Sequence, residues 1–209
     1  MTPPRPGLSE TARVTDWTVY YDATADVPRA TLLDALDRFE QPGLAVDLGS
    51  GTGRDTAELV RRGWRVIAID GEPEAMVRLA ARTDLDHSQV TTQLARFEDA
   101  TWPDVDLVNS SFSLPFVSAD DFGGVWSRIV DSLRPGGRFS GHLFGDRDTW
   151  ASQGVTCFTR SEVDALLFEL SVERLDEEEE DSQDAGGTPK HWHLFHIVAR
   201  TPPQSSPSQ

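Results

Sequence analysis

One short segment constrains the fold of this chain more than any other. Residues 43–48 (GLAVDL) form an apolar run of strand length, and residues 49–53 (GSGTG) place a glycine at every second position. Glycine lets the backbone adopt positive φ and lets a ligand approach the main chain closely. Residues 52–62 then have a helical pattern that Gly63 is predicted to end. We therefore predict a strand, a glycine-rich turn and a helix N-terminus, whose free N–H groups favour negative charge.

Strand-like and helix-like segments alternate along the rest of the chain. The predicted strands cover residues 43–48, 64–69, 90–97, 105–110, 137–144, 171–177 and 191–199. The predicted helices cover residues 28–39, 52–62, 73–80, 118–133 and 159–170, the last with a capping box at Thr159 and Glu162. This alternation indicates an α/β fold with a mostly parallel sheet. The last two strands are joined by a short loop without a helix, so they must pair antiparallel.

Length and charge limit the domain organisation and the partners. The 209 residues are sufficient for one domain, predicted over residues 11–200, between disordered tails at 1–10 and 201–209 that are rich in proline and serine or glutamine. Acidic residues number 35 and basic residues 19, which gives a formal charge of −16. That balance disfavours nucleic acids and anionic membranes as partners. Residues 173–184 hold eight acids and one arginine, and we expect this acidic run to be solvated.

Cysteine content and hydropathy indicate the compartment. Cys157 is the one cysteine, so an intrachain disulfide and a four-cysteine zinc site are excluded. The first ten residues lack the apolar region of a signal peptide, and no apolar run approaches the roughly 18 residues that span a bilayer. We expect a soluble, cytoplasmic chain.

An acid follows the second predicted strand. Asp70 ends that strand, 23 residues after Asp47, and a carboxylate at this point can accept both hydroxyls of an adenosine ribose. Dinucleotide enzymes share this arrangement with the motif G-x-G-x-x-G, but here Arg54 stands where the last glycine is expected. The observed pattern is D-x-G-x-G-x-G, and its acid suits a cationic ligand group, such as the amino group of S-adenosylmethionine (SAM), better than a pyrophosphate.

Five motifs in this order make the chain similar to a known family. They are AVDLGSGTGRD at 45–55, VIAID at 66–70, FED at 97–99, VNSSFSLPF at 108–116 and LRPGG at 133–137. With them the chain resembles the class I SAM-dependent methyltransferases over about residues 16–200, and within them the tellurite-resistance-type and thiol methyltransferase branch. The resemblance implies a Rossmann-like sandwich whose mostly parallel, seven-stranded sheet ends in a C-terminal antiparallel hairpin. It also implies in-line transfer of a methyl group from SAM to a small-molecule acceptor, which releases S-adenosylhomocysteine (SAH).

The resemblance assigns cofactor contacts residue by residue. The set is Tyr20, Asp47, Gly49, Ser50, Gly51, Arg54, Asp70, Gly71, Met76, Phe97, Glu98, Asp99, Asn109 and Ser110. Asp47 and the turn would hold the methionine portion, and Asp70 the ribose. Segments 71–76 and 97–99 would border the adenine, and segment 109–111 would face the methyl-transfer site.

Each of these assignments has an alternative. Asp47 could cap a turn, Glu98 or Asp99 could be a solvated loop acid, and LRPGG is mainly a structural turn. Tyr20 or Tyr21 is expected as a lid near the sulfonium, whose positive charge an aromatic face attracts, or as a ring that only packs the first helix onto the sheet.

Two histidines are candidates for catalysis. His193 or His142 could act as a general base, although a thiolate or another soft anion needs none. The alternative is a structural, hydrogen-bonded histidine. His191 and His193 share a strand face near carboxylates, but we expect no metal there.

Two other classes of function stay open. The chain could bind SAM without transferring its methyl group, in a structural, pericyclic or isomerase role. A nicotinamide-dependent oxidoreductase fits the glycine spacing and the terminal hairpin less well. A homodimer and a protein substrate also stay open, while the Asn-Pro-Pro-Tyr signature of many DNA methyltransferases is absent from segment 109–112.

Overall fold

The computed structural model describes residues 17–23 and 26–202, so the predicted tail 1–10 and residues 203–209 lie outside it. The described strands are β1 (Leu44–Leu48), β2 (Arg65–Asp70), β3 (Val90–Leu94), β4 (Val105–Ser110), β5 (Leu133–Gly145), β6 (Cys157–Phe158), β7 (Ser171–Gln183) and β8 (Pro189–Arg200). The helices are α1 (Trp17–Ala23), α2 (Ala30–Leu36), α3 (Arg54–Arg61), α4 (Pro73–Ala80), α5 (Ala119–Ser132) and α6 (Arg160–Leu166). Short 3-10 turns lie at His87–Gln89, Leu114–Phe116 and Thr149–Gln153.

All eight strands belong to one sheet. Its order is β3-β2-β1-β4-β5-β8-β7, with β6 paired to β5 beside this path. Strands β3, β2, β1, β4 and β5 run parallel, and β8 pairs antiparallel with both β5 and β7. The strand order reverses between β1 and β4, and open α/β sheets bind their ligands beyond the carboxyl ends of the strands at such a point. The predicted fold class is confirmed.

Helices cover both faces of the sheet. Side chains along β1 point alternately to the two faces of the sheet, and each face has its own hydrophobic core. Ala45 packs with α2, α3 and α4, while Val46 and Leu48 pack with α5 and α6. Helix α5 buries an apolar stripe that includes Phe122, Val125 and Ile129. Among the described residues, no helix is both long enough and apolar enough to cross a membrane.

Local signals in the sequence set several boundaries. Thr159 and Glu162 form the predicted capping box, and Ser118 Oγ accepts the N–H of Asp121 at 3.2 Å at the start of α5. Helix α3 is shorter than predicted, because Gly53 has a φ of +85° and extends the turn. Helix α2 begins at Ala30, so Pro28 lies before the helix and not in its first turn as predicted.

The C-terminal hairpin is longer than predicted. Strand β7 was predicted to end near residue 177, and the sheet was predicted with seven strands. Pairing with β8 continues to Gln183, so the acidic run lies within an edge strand, where charged side chains remain in solvent. The eighth strand, β6, has two residues, which are too few to show the alternating sequence pattern of a strand. Thr201, predicted in the C-terminal tail, is buried and bonds through Oγ1 to the carbonyl oxygen of Arg134 at 2.6 Å.

Candidate functional site

A cavity of about 770 Å³ opens at the carboxyl ends of β1 and β4, where the strand order reverses. One part, the turn end, is lined by residues 49–52, 54, 70–72 and 97–98. The other part, the aromatic end, is lined by Phe116, Phe144, Trp150 and Trp192. Polar groups thus converge on one part and apolar rings on the other, which is typical of a small-molecule site.

Strand β2 holds the glycine turn in place through two backbone hydrogen bonds. The N–H groups of Gly49 and Ser50 both donate to the carbonyl oxygen of Ile69, at 2.8 and 3.0 Å. Gly49 has a φ of +81°, and a Cβ there would lie 2.3 Å from the Cβ of Ser113. No larger residue fits in that conformation and space. The turn therefore places backbone atoms directly at the cavity.

Asp70 is held by the main chain. Its Oδ2 accepts the N–H of Gly51 at 2.8 Å, and its Oδ1 accepts the N–H of Glu72 at 2.9 Å. Burial raises the pKa of this carboxyl. Each carboxylate oxygen has two lone pairs, so each can accept one further hydrogen bond from a ligand in the cavity. Asp70 is oriented as a receptor for two neighbouring hydroxyls.

Two buried carboxylates lie beside the turn. Asp47 accepts from Thr56 Oγ1 at 2.6 Å and from Asn109 Nδ2 at 3.0 Å, and the same Nδ2 lies 3.1 Å from Asp55 Oδ2. Burial and the neighbouring Asp55 raise the pKa of Asp47 to about 7. The Arg54 guanidinium lies beside them, with its Nε 3.5 Å from Asp55 Oδ1. The pair therefore favours a cationic ligand group.

Asp55 was missed by the sequence reasoning as a site residue. It lines the cavity and accepts from Ser111 Oγ at 2.6 Å and from the N–H of Arg29 at 3.1 Å. Its signal was present in the motif at 45–55, as the acid in the first turn of α3. The helical pattern alone places Asp55 in the first turn of α3. Its contacts with Arg29 and Ser111, which are distant in sequence, are seen only in the structure.

Phe112 was also missed. It is the one non-glycine residue with positive φ, +59°, in the part of the chain that the structure describes. Its ring lies between the Arg29 guanidinium carbon, 4.5 Å from the ring centre, and the His142 ring, which stacks on it at 4.0 Å. Phe112 lines the cavity between the turn end and the aromatic end.

Arg29 brings a positive charge to the same place. It lines the cavity, and over residues 17–23 and 26–202 no carboxylate lies within 4.0 Å of its guanidinium. Its buried Nε has no hydrogen-bond partner there, and its Nη2 is 3.5 Å from the Tyr20 hydroxyl. An anionic ligand group would satisfy this guanidinium.

The loop after β3 forms another wall of the turn end. Phe97 and Glu98 line it, and Arg128 fixes the loop by donating to the carbonyl oxygens of Phe97 at 2.9 Å and Ala100 at 3.0 Å. Glu98 pairs with Arg96 at 3.0 Å. A planar ligand group beside Phe97 would contact an aromatic face and lie near the Glu98 carboxylate.

Ten of the predicted site residues line the cavity and six do not. Those that line it are Tyr20, Asp47, Gly49, Ser50, Gly51, Arg54, Asp70, Gly71, Phe97 and Glu98. Those that do not are Met76, Asp99, Asn109, Ser110, His142 and His193. Asn109 and Ser110 lie in the layer behind the wall, where Ser110 Oγ donates to the carbonyl oxygen of Leu48 at 3.1 Å.

Neither candidate histidine faces the cavity. His142 is buried behind Phe112, its Nε2 is 3.5 Å from Thr31 Oγ1, and burial lowers its pKa. His193 is buried on the sheet face opposite to that of Trp192. Its Nε2 lies 2.9 Å from Glu177 and its Nδ1 accepts the N–H of Arg147 at 3.2 Å. Both positions suit structural histidines better than general bases.

His193, Glu177 and Glu179 bring one ligand atom each within 4.8 Å of one another. Arg147 already occupies this group, with Nη2 at 3.0 Å from Glu177 and 2.6 Å from Glu179. The guanidinium supplies the positive charge that a metal would bring. The prediction that no metal is needed stays a prediction.

Comparisons with known proteins bear on the family and the fold. The sequence model of a family described as a methyltransferase domain matches residues 45–137. A curated relative, the carboxy-S-adenosyl-L-methionine synthase of Shewanella amazonensis, is 33% identical over an alignment of 114 residues. That alignment covers 51% of this chain and 47% of the relative, so the chain matches about half of the relative's length.

Two solved structures share the fold. TehB from Haemophilus influenzae has a TM-score of 0.72 at 16% identity, over 83% of this chain and 62% of that one. The 1,6-didemethyltoxoflavin-N1-methyltransferase of Burkholderia thailandensis, solved with bound 1,6-didemethyltoxoflavin and SAH, has a TM-score of 0.69 at 23% identity, over 93% of this chain and 88% of that one.

The chain thus has the fold of the class I SAM-dependent methyltransferases, and the predicted resemblance to that family is confirmed. Residues 45–137 are the part of the chain that matches the sequence model of a methyltransferase domain. The tellurite-resistance-type and thiol branch stays a prediction.

Proposed function

We propose that this protein transfers a methyl group from SAM to a small-molecule acceptor and releases SAH. The observation that carries the proposal is the charge pattern of the turn end. Two buried carboxylates, the oriented Asp70 and the Arg29 guanidinium, which has no carboxylate partner within the described ranges, surround a backbone turn at the switch point of the sheet. SAM carries the complementary groups, namely an ammonium, a carboxylate and a ribose with two hydroxyls.

Each part of SAM has a receptor in this arrangement. The ribose hydroxyls bind Asp70, the ammonium lies by Asp47 and Asp55, and the carboxylate pairs with Arg29 or Arg54. The adenine lies between Gly71 and Phe97, with Glu98 near its amino group. In this binding mode the sulfonium faces Phe112 and the methyl group points to the aromatic end.

The transfer is a displacement at the methyl carbon. A lone pair of the acceptor forms the new bond to carbon while the carbon–sulfur bond breaks, and the electron pair of that bond stays on sulfur. The cationic sulfonium becomes a neutral thioether. The protein contributes orientation of the two reactants and a pocket walled by aromatic rings, and this route uses neither His142 nor His193 as a base.

The binding test compares one carboxylate that lines the cavity with one that does not. Asp70→Ala should weaken SAM binding by about 1–3 kcal/mol in isothermal titration, because charged hydrogen bonds are lost. Asp99→Ala, a nearby acid outside the cavity, serves as the matched control and should bind SAM like the wild type. Equal affinities of the two variants would remove Asp70 from the site, and tight binding of NADH without SAM binding would overturn the proposal.

Chemistry on SAM itself is the second candidate. The observation that favours it is the curated relative, which is a carboxy-S-adenosyl-L-methionine synthase. Mass spectrometry of reactions with SAM and candidate acceptors separates the two. SAH together with a methylated acceptor supports methyl transfer, whereas a product that retains the adenosyl group and is heavier than SAM supports the second candidate.

A further inference from the structure

Carboxylates of β7 reach the aromatic end of the cavity. Glu180 pairs across the hairpin with Trp192, and Glu178 pairs with Leu194. Directly opposite residues on paired strands project to the same face. All four line the cavity, so acidic groups and an indole ring lie side by side on its wall.

Two other charged groups near this wall, Lys190 and Glu178, already have side-chain partners. The buried Lys190 ammonium contacts Asp148 and packs 4.1 Å from the Trp192 ring centre. Glu178 lies 2.8 Å from His196 Nε2. Over the described ranges, 17–23 and 26–202, Glu180 has neither an ion pair nor a hydrogen bond from its side chain. Glu180, whose side chain is exposed at the cavity, therefore gives this wall a carboxylate that a ligand cation can reach.

From these contacts we propose that the methyl acceptor carries a basic amine on an aromatic or aliphatic body. The body packs on Phe116, Phe144 and Trp150, and the ammonium lies between the Glu180 carboxylate and the Trp192 ring. An indole face attracts a cation, and a carboxylate beside it adds an ion pair. This inference rests on the proposed function, because it names the substrate class of the same cavity.

The test uses three small probes of matched shape on the full chain saturated with SAH. They are phenethylamine, 3-phenylpropionate and 3-phenylpropionamide, and isothermal titration measures their affinities. We expect phenethylamine to bind about tenfold more tightly than 3-phenylpropionate, from a cation–π contact and a partly shielded ion pair. Glu180→Gln should lower the affinity for phenethylamine about fivefold and leave SAH affinity unchanged.

Glu179→Gln is the matched control, because this neighbour lies on the opposite face of β7 and pairs with Arg147. It should bind all three probes like the wild type. Tighter binding of 3-phenylpropionate, equal effects of the two substitutions, or no binding of any probe at millimolar concentration would each overturn the inference. Failure of the protein to bind SAM or SAH would instead overturn the proposed function, so the two failures are distinguishable.

Discussion

The left-handed backbone conformation at Phe112 should make glycine a more stable replacement there than alanine. Both Phe112→Ala and Phe112→Gly remove the ring from between Arg29 and His142, so that loss cancels between them. The two variants differ in the free energy needed to hold residue 112 at its φ of +59°. A residue with a Cβ loses about 1–2 kcal/mol in this conformation, whereas glycine loses almost none.

The unfolded state opposes part of this difference. Glycine has more freedom in the unfolded chain, which favours alanine by about 0.4–1 kcal/mol. The net expectation is that Phe112→Gly is more stable than Phe112→Ala by about 0.5–1 kcal/mol. Urea unfolding of the two variants, analysed with a common slope, measures the difference.

A control at an ordinary helical site should show the opposite sign. Val77 is exposed in α4, where alanine is favoured over glycine by about 1 kcal/mol. Val77→Ala should therefore be more stable than Val77→Gly. If alanine were also the more stable residue at position 112, the left-handed conformation there would be refuted. If the proposed function holds, both variants at position 112 should lose most methyl transfer, since each lacks the ring that we propose borders the methyl group.

Two further predictions concern buried charges. The pKa of Asp47 is raised from 3.8 to about 7 by burial and by Asp55, so the native protein keeps a proton that the unfolded chain releases. The free energy of unfolding of the ligand-free protein should then fall as the pH rises from about 4 to 7, and Asp47→Asn should flatten this slope in urea titrations; an unchanged slope would contradict the assignment. Lys190→Met leaves the buried Asp148 carboxylate unpaired and should cost about 3–5 kcal/mol of stability. Adding Asp148→Asn should recover part of that loss in thermal unfolding, and no recovery would show that the ion pair is not the cause.

The sequence allowed prediction of those features that depend on neighbouring residues. The turn at 49–53, the position of Asp70 and the capping box at Thr159 follow from spacings of a few residues, and each is present in the structure. Strand β7 was predicted too short, because its acidic residues have low strand propensity and only pairing with β8 stabilises them.

The contacts around Phe112 were beyond sequence reasoning. Arg29, Phe112 and His142 are separated by 83 and 30 positions, and no local pattern connects them. The same limit explains why His193 was a candidate base. Its residue type suggested proton transfer, but the face of the hairpin on which it lies depends on register with β7.

The acidic edge strand has a consequence for assembly. Strand β7 is the last strand of the sheet on its side, and seven of its thirteen residues are acidic. Two copies joined through this edge would place carboxylates opposite carboxylates along its length, and like charges in that position are destabilising. The protein therefore protects its own sheet from continuing into a neighbouring molecule, and a homodimer would have to form through a different surface.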